Sequence, residues 1–271
     1  MTDRYAVVGN PVAHSLSPQI HAAFARQTAQ DIEYGKLLAP LDQFVPTVEG
    51  FRAKGGRGVN VTVPLKFEAF RFCNEPDDAA RAAEAVNTLH FHAGRIFGFN
   101  TDGVGLVADL ERNLEFPLHD RRVLVLGAGG ATYGVMQPLL KARPREIVVA
   151  NRTPDKAVAL VNRFRQAQPV ALEAKAFTAL AGSRFDLVIN ATSAGLSNEM
   201  PPLPRGIFAE GALAYDMVYA KTTPFMTFAR NEGARTADGL GMLVEQAAQA
   251  FLIWRGVRPQ TAPVLADLRA R

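Results

Sequence analysis

The run Arg122-Val-Leu-Val-Leu126, followed at once by Gly127-Ala-Gly-Gly-Ala-Thr-Tyr-Gly134 and a helical pattern to Lys141, restricts the fold of this chain more than any other feature. A continuously apolar strand that enters a glycine turn and leaves as a helix is characteristic of a parallel α/β sheet buried on both faces. The glycines let the backbone approach a ligand, and the free N–H groups of the helix N-terminus suit an anion such as a pyrophosphate. The spacing, GxGGxxxG, is a variant of the dinucleotide fingerprint in which Thr132 stands at the third glycine position. A lone GxG turn is also an ordinary strand–helix connection. Here the strand before it and the helix after it supply the context that a dinucleotide site requires.

The next strand bears on the cofactor. Enzymes that use NAD place an Asp or Glu at its tip to bond the adenosine ribose. The strand ending at Ala150 continues instead as Asn151-Arg152-Thr153, without a carboxylate. A guanidinium flanked by amide and hydroxyl groups suits a 2′-phosphate, which favours NADP. Thr153 before Pro154 is also a reasonable helix N-cap.

Short β-rich runs and helical patterns alternate along nearly the whole chain. Strands are predicted at Tyr5–Val8, Glu33–Leu38 and Gly58–Val61, with helices at Pro18–Gln27 and Leu41–Ala53. Leu89–His92 and Ile96–Phe99 read as a hairpin, followed by a helix from Asp102 or Gly103 to about Asn113. Beyond it lie buried strands at Arg122–Leu126, Glu146–Ala150, Phe185–Ile189 and Ala212–Met217. Leu172–Ala176 alternates polar and apolar residues like an edge strand. Ser197–Arg205 is a proline-bearing loop, and a final helix runs from Gly239 to Trp254.

For 271 residues, roughly 150 per domain gives two domains. The expected fold is α/β: an N-terminal α/β substrate domain over residues 1–101 and a Rossmann-type nucleotide domain over 102–238. A C-terminal helical segment, 239–271, is expected to return to the first domain.

Polar residues cluster in the first domain. Ser15 and Ser17 precede Pro18 at a helix start, where hydroxyls, free N–H groups and the positive dipole end suit a carboxylate. Ser17 alone also reads as an N-cap. In Gly58-Val-Asn-Val-Thr-Val-Pro-Leu-Lys66, strand alternation exposes Asn60, Thr62 and Pro64 on one face, and Lys66 follows at the strand's C-terminal end. C-terminal strand ends are where open α/β sheets bind ligands. Asn87 and Asp102 sit at element boundaries, and periodicity alone does not bring them to Lys66.

Composition excludes several classes. With 30 Lys and Arg against 26 Asp and Glu, and no basic block, nucleic acid is not an expected partner. A single cysteine rules out an internal disulfide or a cysteine-based metal cluster, and no metal is expected. There is no run of 18 apolar residues and no signal-peptide core, so no membrane partner and a cytoplasmic location are expected.

Taken in order, these words resemble the shikimate dehydrogenase family. They are Gly9–Pro18, Asn60–Lys66, Ala85-Val-Asn-Thr88, Asn100-Thr-Asp102, Gly127–Ala131, Asn151–Thr153, Asn190–Gly195, Tyr215–Tyr219 and Asp238–Gln246. The likeness spans about Tyr5 to Pro263. It implies NADP(H)-dependent, reversible reduction of 3-dehydroshikimate to shikimate, in aromatic amino-acid biosynthesis, by a monomer or homodimer. It further implies that Lys66 is the catalytic acid/base paired with Asp102, and that Ser15 and Ser17 hold the substrate carboxylate. Thr62, Asn87, Asp102, Tyr219 and Gln246 would bond the substrate's carboxylate or hydroxyls. Gly127, Ala128, Gly129, Gly130 and Ala131, with Asn151, Arg152, Thr153 and Lys156, would bind the cofactor's phosphates and ribose. Met217 and Gly239 would meet its nicotinamide end, and Asp78 is a further cofactor contact in some members. Ala85 departs from the glycine many members carry there. Alternatives are a quinate/shikimate dehydrogenase with relaxed cofactor use, and a non-catalytic NADP-binding regulator.

Overall fold

A computed structural model describes residues 2–165, 169–192 and 199–270. The predicted loop at Ser197–Arg205 therefore lies partly outside the described residues, as do Ser193-Ala194-Gly195. Internal contacts divide the chain into two compact units, Met1–Gly105 with Leu243–Arg271, and Leu106–Met242.

The first unit contains β1 (Asp3–Gly9), α1 (Ser17–Thr28), β2 (Ile32–Leu38), α2 (Phe44–Ala53), β3 (Gly56–Val61), α3 (Lys66–Phe72), β4 (Glu75–Pro76), α4 (Asp78–Ala83), β5 (Thr88–His92) and β6 (Arg95–Phe99). Its sheet has the order β2-β1-β3-β5-β6-β4. β1 is parallel to both β2 and β3, whereas β5 runs antiparallel to β3 and β6. Period-two alternation sorts the side chains by face. Ala6, Val8, Val59, Val61, Leu89 and Phe91 pack with Phe44, Val48 and Phe51 of α2. Tyr5 points the other way and stacks on Trp254 with ring centroids 4.6 Å apart. Ala93 and Gly94, both at positive φ, form the two-residue turn between β5 and β6, a geometry that matches the twist of paired strands.

α5 (Asp102–Ala108) leads out of this unit. The helix predicted to reach Asn113 widens into a π turn over Asp109–Asn113. Asp109 there is fully buried and accepts hydrogen bonds from the Tyr215 hydroxyl at 2.7 Å and Asn113 Nδ2 at 2.9 Å. A buried carboxylate needs such partners, and side-chain bonding takes precedence over regular helix geometry here.

The second unit holds β7 (Arg122–Leu126), α6 (Gly130–Lys141), β8 (Glu146–Ala150), α7 (Pro154–Phe164), β9 (Ala171–Lys175), β10 (Phe185–Asn190), β11 (Phe208–Asp216), α8 (Pro224–Asn231) and β12 (Arg235–Asp238). All six strands are parallel, in the order β12-β11-β10-β7-β8-β9. This is the doubly wound order, with the direction reversing between β7 and β10. β9 is an edge strand, as its alternation predicts. β12 was too short and polar to show in the sequence pattern. The chain closes with α9 (Leu240–Arg255) and α10 (Ala262–Arg269). In the first unit Trp254 Nε1 donates to the Leu89 carbonyl at 3.0 Å, and Arg255 pairs with Asp3. Among the described residues, no helix is long and apolar enough to cross a membrane.

Candidate active site

In the first unit β3 stops at Val61, one turn before Lys66. The Leu65 N–H closes that turn onto the Thr62 carbonyl at 3.0 Å, and Lys66 then opens α3. Lys66 therefore follows the C-terminal end of β3, as read from the sequence, and also opens a helix that the sequence pattern did not show. Seven residues were too few for a helical period to show. The Lys66 carbonyl accepts from the Val86 N–H at 2.9 Å, which brings the Ala85–Thr88 segment beside α3.

Lys66 and Asp102 meet beside this segment. Lys66 Nζ donates to Asp102 Oδ2 at 2.5 Å, with side chains 18% and 8% exposed. Asn87 Nδ2 donates to Asp102 Oδ1 at 2.8 Å. Gln246 reaches the same cluster from α9, and its Oε1 lies 3.3 Å from Asn87 Nδ2. Thr101 was not singled out in the sequence, but it is buried here and its N–H donates to Asn87 Oδ1 at 2.9 Å. Asn60, predicted on an exposed face, is also buried, because β2 and β5 bring Tyr34 and Thr88 onto it. Their positions inside the words Ala85–Thr88 and Asn100–Asp102 were the only signal for Thr88 and Thr101.

The serine loop follows β1. Leu16, not Ser17, occupies the N-cap of α1, and Ser17 is the first helical residue. Ser15 Oγ accepts from the Ser17 N–H at 3.3 Å and donates to Ser17 Oγ at 3.2 Å. Lys36 Nζ donates to the Ala13 carbonyl, and Asn10 Nδ2 to that of Ala39 at 3.1 Å, so side chains pin the loop from outside. Thr62 packs its methyl against Gly9, where any Cβ would fall 2.3 Å from it. Asp78 is the exposed first residue of α4 in this unit, where its charge complements the helix N-terminus.

In the second unit the glycine turn joins β7 to α6. Gly127 has φ of +102°, a left-handed conformation that favours glycine, and its N–H donates to the Ala150 carbonyl at 2.8 Å. Thr132 is fully buried and donates to the Gly127 carbonyl at 2.9 Å, fixing the loop from beneath. Gly129 is exposed at the N-cap of α6, and a Cβ built there meets no protein atom within 4 Å. Ala128 is buried, while Gly130 and Ala131 open the helix half-buried. A backbone bared on one side over a helix N-terminus fits a pyrophosphate.

At the tip of β8, Asn151 Nδ2 donates to the Thr153 carbonyl at 2.8 Å, and Arg152, Thr153 and Lys156 are exposed. Thr153 occupies the N-cap of α7 but its side chain makes no capping bond, which leaves the hydroxyl to other partners. At the ends of β11 and β12, a Cβ at Gly239 would fall 2.3 Å from the Met217 carbonyl, so these two strand exits touch. Buried Asp216 accepts from Asn190 Nδ2 at 3.1 Å, Thr223 Oγ1 at 2.6 Å and the Val218 N–H at 3.0 Å, and so sets the course of the chain past Met217. Tyr219 is half-buried, and burial pushes its phenol up, which keeps it a neutral hydroxyl. Among the described residues no group of three His, Cys, Asp or Glu side chains could hold a metal.

Known proteins match throughout. A shikimate dehydrogenase substrate-binding domain matches residues 7–89, a shikimate/quinate 5-dehydrogenase domain residues 110–197, and a shikimate 5′-dehydrogenase C-terminal domain residues 239–269. Shikimate dehydrogenase (NADP(+)) of Methylobacillus flagellatus is 62% identical over 269 residues, covering 99% of both chains. The chain belongs to the shikimate dehydrogenase family. A shikimate dehydrogenase structure from Thermus thermophilus, in complex with NADP(H) and shikimate, superposes with a TM-score of 0.88 at 36% identity, covering 99% of each chain. An Ael1 enzyme from Pseudomonas putida superposes at 0.94 with 49% identity, covering 98% of each chain. In this chain Lys66 and Asp102 are both present and in contact.

Proposed function

We propose that this chain catalyses the reversible, NADP(H)-dependent reduction of 3-dehydroshikimate to shikimate. The observation that carries the reading is the Lys66–Asp102 contact at 2.5 Å in a unit whose partner unit presents a bared glycine turn with no strand-tip carboxylate.

Reduction of a ring ketone needs a hydride at carbon and a proton at oxygen. NADPH supplies the hydride when bound. Lys66 spends one ammonium hydrogen on Asp102 and keeps two for the ketone oxygen. It stabilises negative charge as it develops there and donates the proton. In the reverse direction the amine takes the hydroxyl proton. Asp102 and Asn87 fix the ammonium, and Asn87, Thr62, Asp102 and Gln246 orient the ring hydroxyls. The Ser15 and Ser17 hydroxyls and the α1 N-terminus hold the carboxylate. Tyr219 offers a further hydroxyl to the substrate.

Gly127 to Ala131 bind the pyrophosphate, and Asn151, Arg152, Thr153 and Lys156 bind the 2′-phosphate end. Met217 and Gly239 border the nicotinamide. Asp78 as a cofactor contact is supported by the resemblance alone. Residues 1–101 with 239–271 serve the substrate and 102–238 the cofactor, except that Asp102 acts with the first unit and Gly239 with the second. The proposed compartment is the cytoplasm, in keeping with a single cysteine. The test is incubation with shikimate and NADP followed by mass spectrometry. The dehydro ketone is the expected product, and unchanged shikimate would contradict the reading.

A further inference from the structure

Behind the acid–base pair runs an unbroken path of hydrogen bonds that starts on a different strand. The Tyr34 hydroxyl donates to Asn60 Oδ1 at 2.7 Å. Asn60 Nδ2 donates to Thr88 Oγ1 at 3.0 Å, across directly paired positions of β3 and β5. Thr88 Oγ1 donates to Asn87 Oδ1 at 3.1 Å, and Asn87 Nδ2 donates to Asp102 Oδ1 at 2.8 Å. Asn60, Asn87, Thr88 and Asp102 are at most 6% exposed.

The polarity of this path is fixed by groups that can act in only one sense. The Thr101 N–H is a donor only, so the Asn87 atom facing it at 2.9 Å is the amide oxygen. Asp102 as a carboxylate is an acceptor only, so it faces the amide nitrogen. The Asn87 backbone carbonyl, 3.3 Å from the Asn60 amide, fixes that nitrogen in the same way. Thr88 accepts from Asn60, and its own hydrogen is left for Asn87 Oδ1. Every hydrogen along the path therefore points toward Asp102. Asn87 Oδ1 accepts from Thr88 and from the Thr101 N–H, and Asn87 Nδ2 faces three acceptors, Asp102 Oδ1, Thr101 Oγ1 at 2.9 Å and Gln246 Oε1 at 3.3 Å.

Tyr34 anchors the far end. Its ring stacks on His21 at 4.2 Å with the planes 5° apart, so the hydroxyl is aimed by packing.

We propose that Thr88, with Tyr34 behind it through Asn60, is a positioning residue of the reaction: it holds the Asn87 amide in the one orientation that directs Asp102, and through it Lys66, at the substrate oxygen. Thr88 hydrogen-bonds to Asn60 and Asn87, not to Lys66 or Asp102. Its removal should therefore loosen the aim of the pair without emptying either binding site. The inference rests on the functional reading above.

The experiment is steady-state kinetics on the full chain with shikimate and NADP. Thr88→Val keeps the buried volume and removes the hydroxyl, and one lost hydrogen bond of this kind predicts a roughly tenfold fall in kcat, with both KM values within about twofold. Thr88→Ser returns the hydroxyl and should recover most of the lost kcat. Tyr34→Phe keeps the stack on His21 and should lower kcat by about threefold with unchanged KM; it carries the test alone if Thr88→Val does not fold. Unchanged kcat in the variants that fold, or a loss that Thr88→Ser does not restore, overturns the proposal. A folded wild-type chain inactive on this substrate pair contradicts the functional reading itself and removes this inference with it.

Discussion

Lys66 and Asp102 lie 36 residues apart in the chain, yet Lys66 Nζ and Asp102 Oδ2 are 2.5 Å apart at the starts of α3 and α5. Both helices begin where a strand connection ends, so short local structure delivers both charges to one place. With the side chains 18% and 8% exposed, the pair is shielded from water but open enough for a substrate oxygen to reach the ammonium. Removing either partner would leave the other charge largely buried and unpaired.

Lys66→Ala should give a folded protein whose kcat is lower by about 10²–10⁴, the usual worth of a positioned acid/base. Initial rates with saturating shikimate and NADP, beside a thermal melt, measure this. Near-normal turnover would remove Lys66 from the chemistry.

Gly129 offers a cleaner probe of the phosphate turn than Gly127. A Cβ at Gly129 meets no protein atom within 4 Å, whereas Gly127 also carries a φ of +102°. Gly129→Val should therefore leave the melting temperature nearly unchanged while weakening NADP binding by about tenfold or more, as a side chain fills the space where the pyrophosphate approaches. Calorimetric titration reads the affinity. Wild-type affinity in this variant would place the cofactor elsewhere.

Arg152 is exposed beside a strand tip that has no carboxylate. Losing one charge-assisted contact to the 2′-phosphate, Arg152→Ala should raise the KM for NADP by roughly tenfold and leave that for NAD nearly unchanged. An equal change in both would remove the 2′-phosphate assignment.

His21 makes stability depend on pH. Burial among Tyr34, Phe24, Phe251 and Trp254 outweighs the neighbouring Asn60 and holds its pKa at about 3, against 6.5 in the unfolded chain. Because the folded value is the lower one, the unfolded state takes up the proton first. Stability from this group is complete above pH 6.5 and falls as the pH drops toward 3. At pH 5 the loss comes to about 2 kcal/mol. Urea melts at pH 7 and pH 5 should show that loss in the wild type and a smaller one in His21→Phe. Equal losses would mean that His21 is not the group responsible.

Much of this was legible in the sequence, for physical reasons. Central strands of the second unit such as β7 and β8 are nearly continuous apolar runs because helices cover both faces of a parallel sheet, and the glycine turn shows because its backbone conformation admits few residues. β12 and α3 were missed because four residues, three of them polar, and seven mixed ones carry no readable period. The N-cap of α1 moved from Ser17 to Leu16 because Ser15 satisfies the Ser17 N–H, a local choice that residue types alone do not decide. The Lys66–Asp102–Asn87 cluster was legible only through the family words, since hydrogen bonds between distant segments leave no period. Tyr34 carried no signal at all: its role depends on β1 lying between it and Asn60, which is a property of the sheet order.

The central claim is tested most directly by absorbance at 340 nm, with shikimate or quinate each offered with NADP or NAD. The proposed function predicts turnover largely confined to shikimate with NADP. Comparable rates with quinate or NAD, or no turnover from folded protein that still binds NADP, would contradict it.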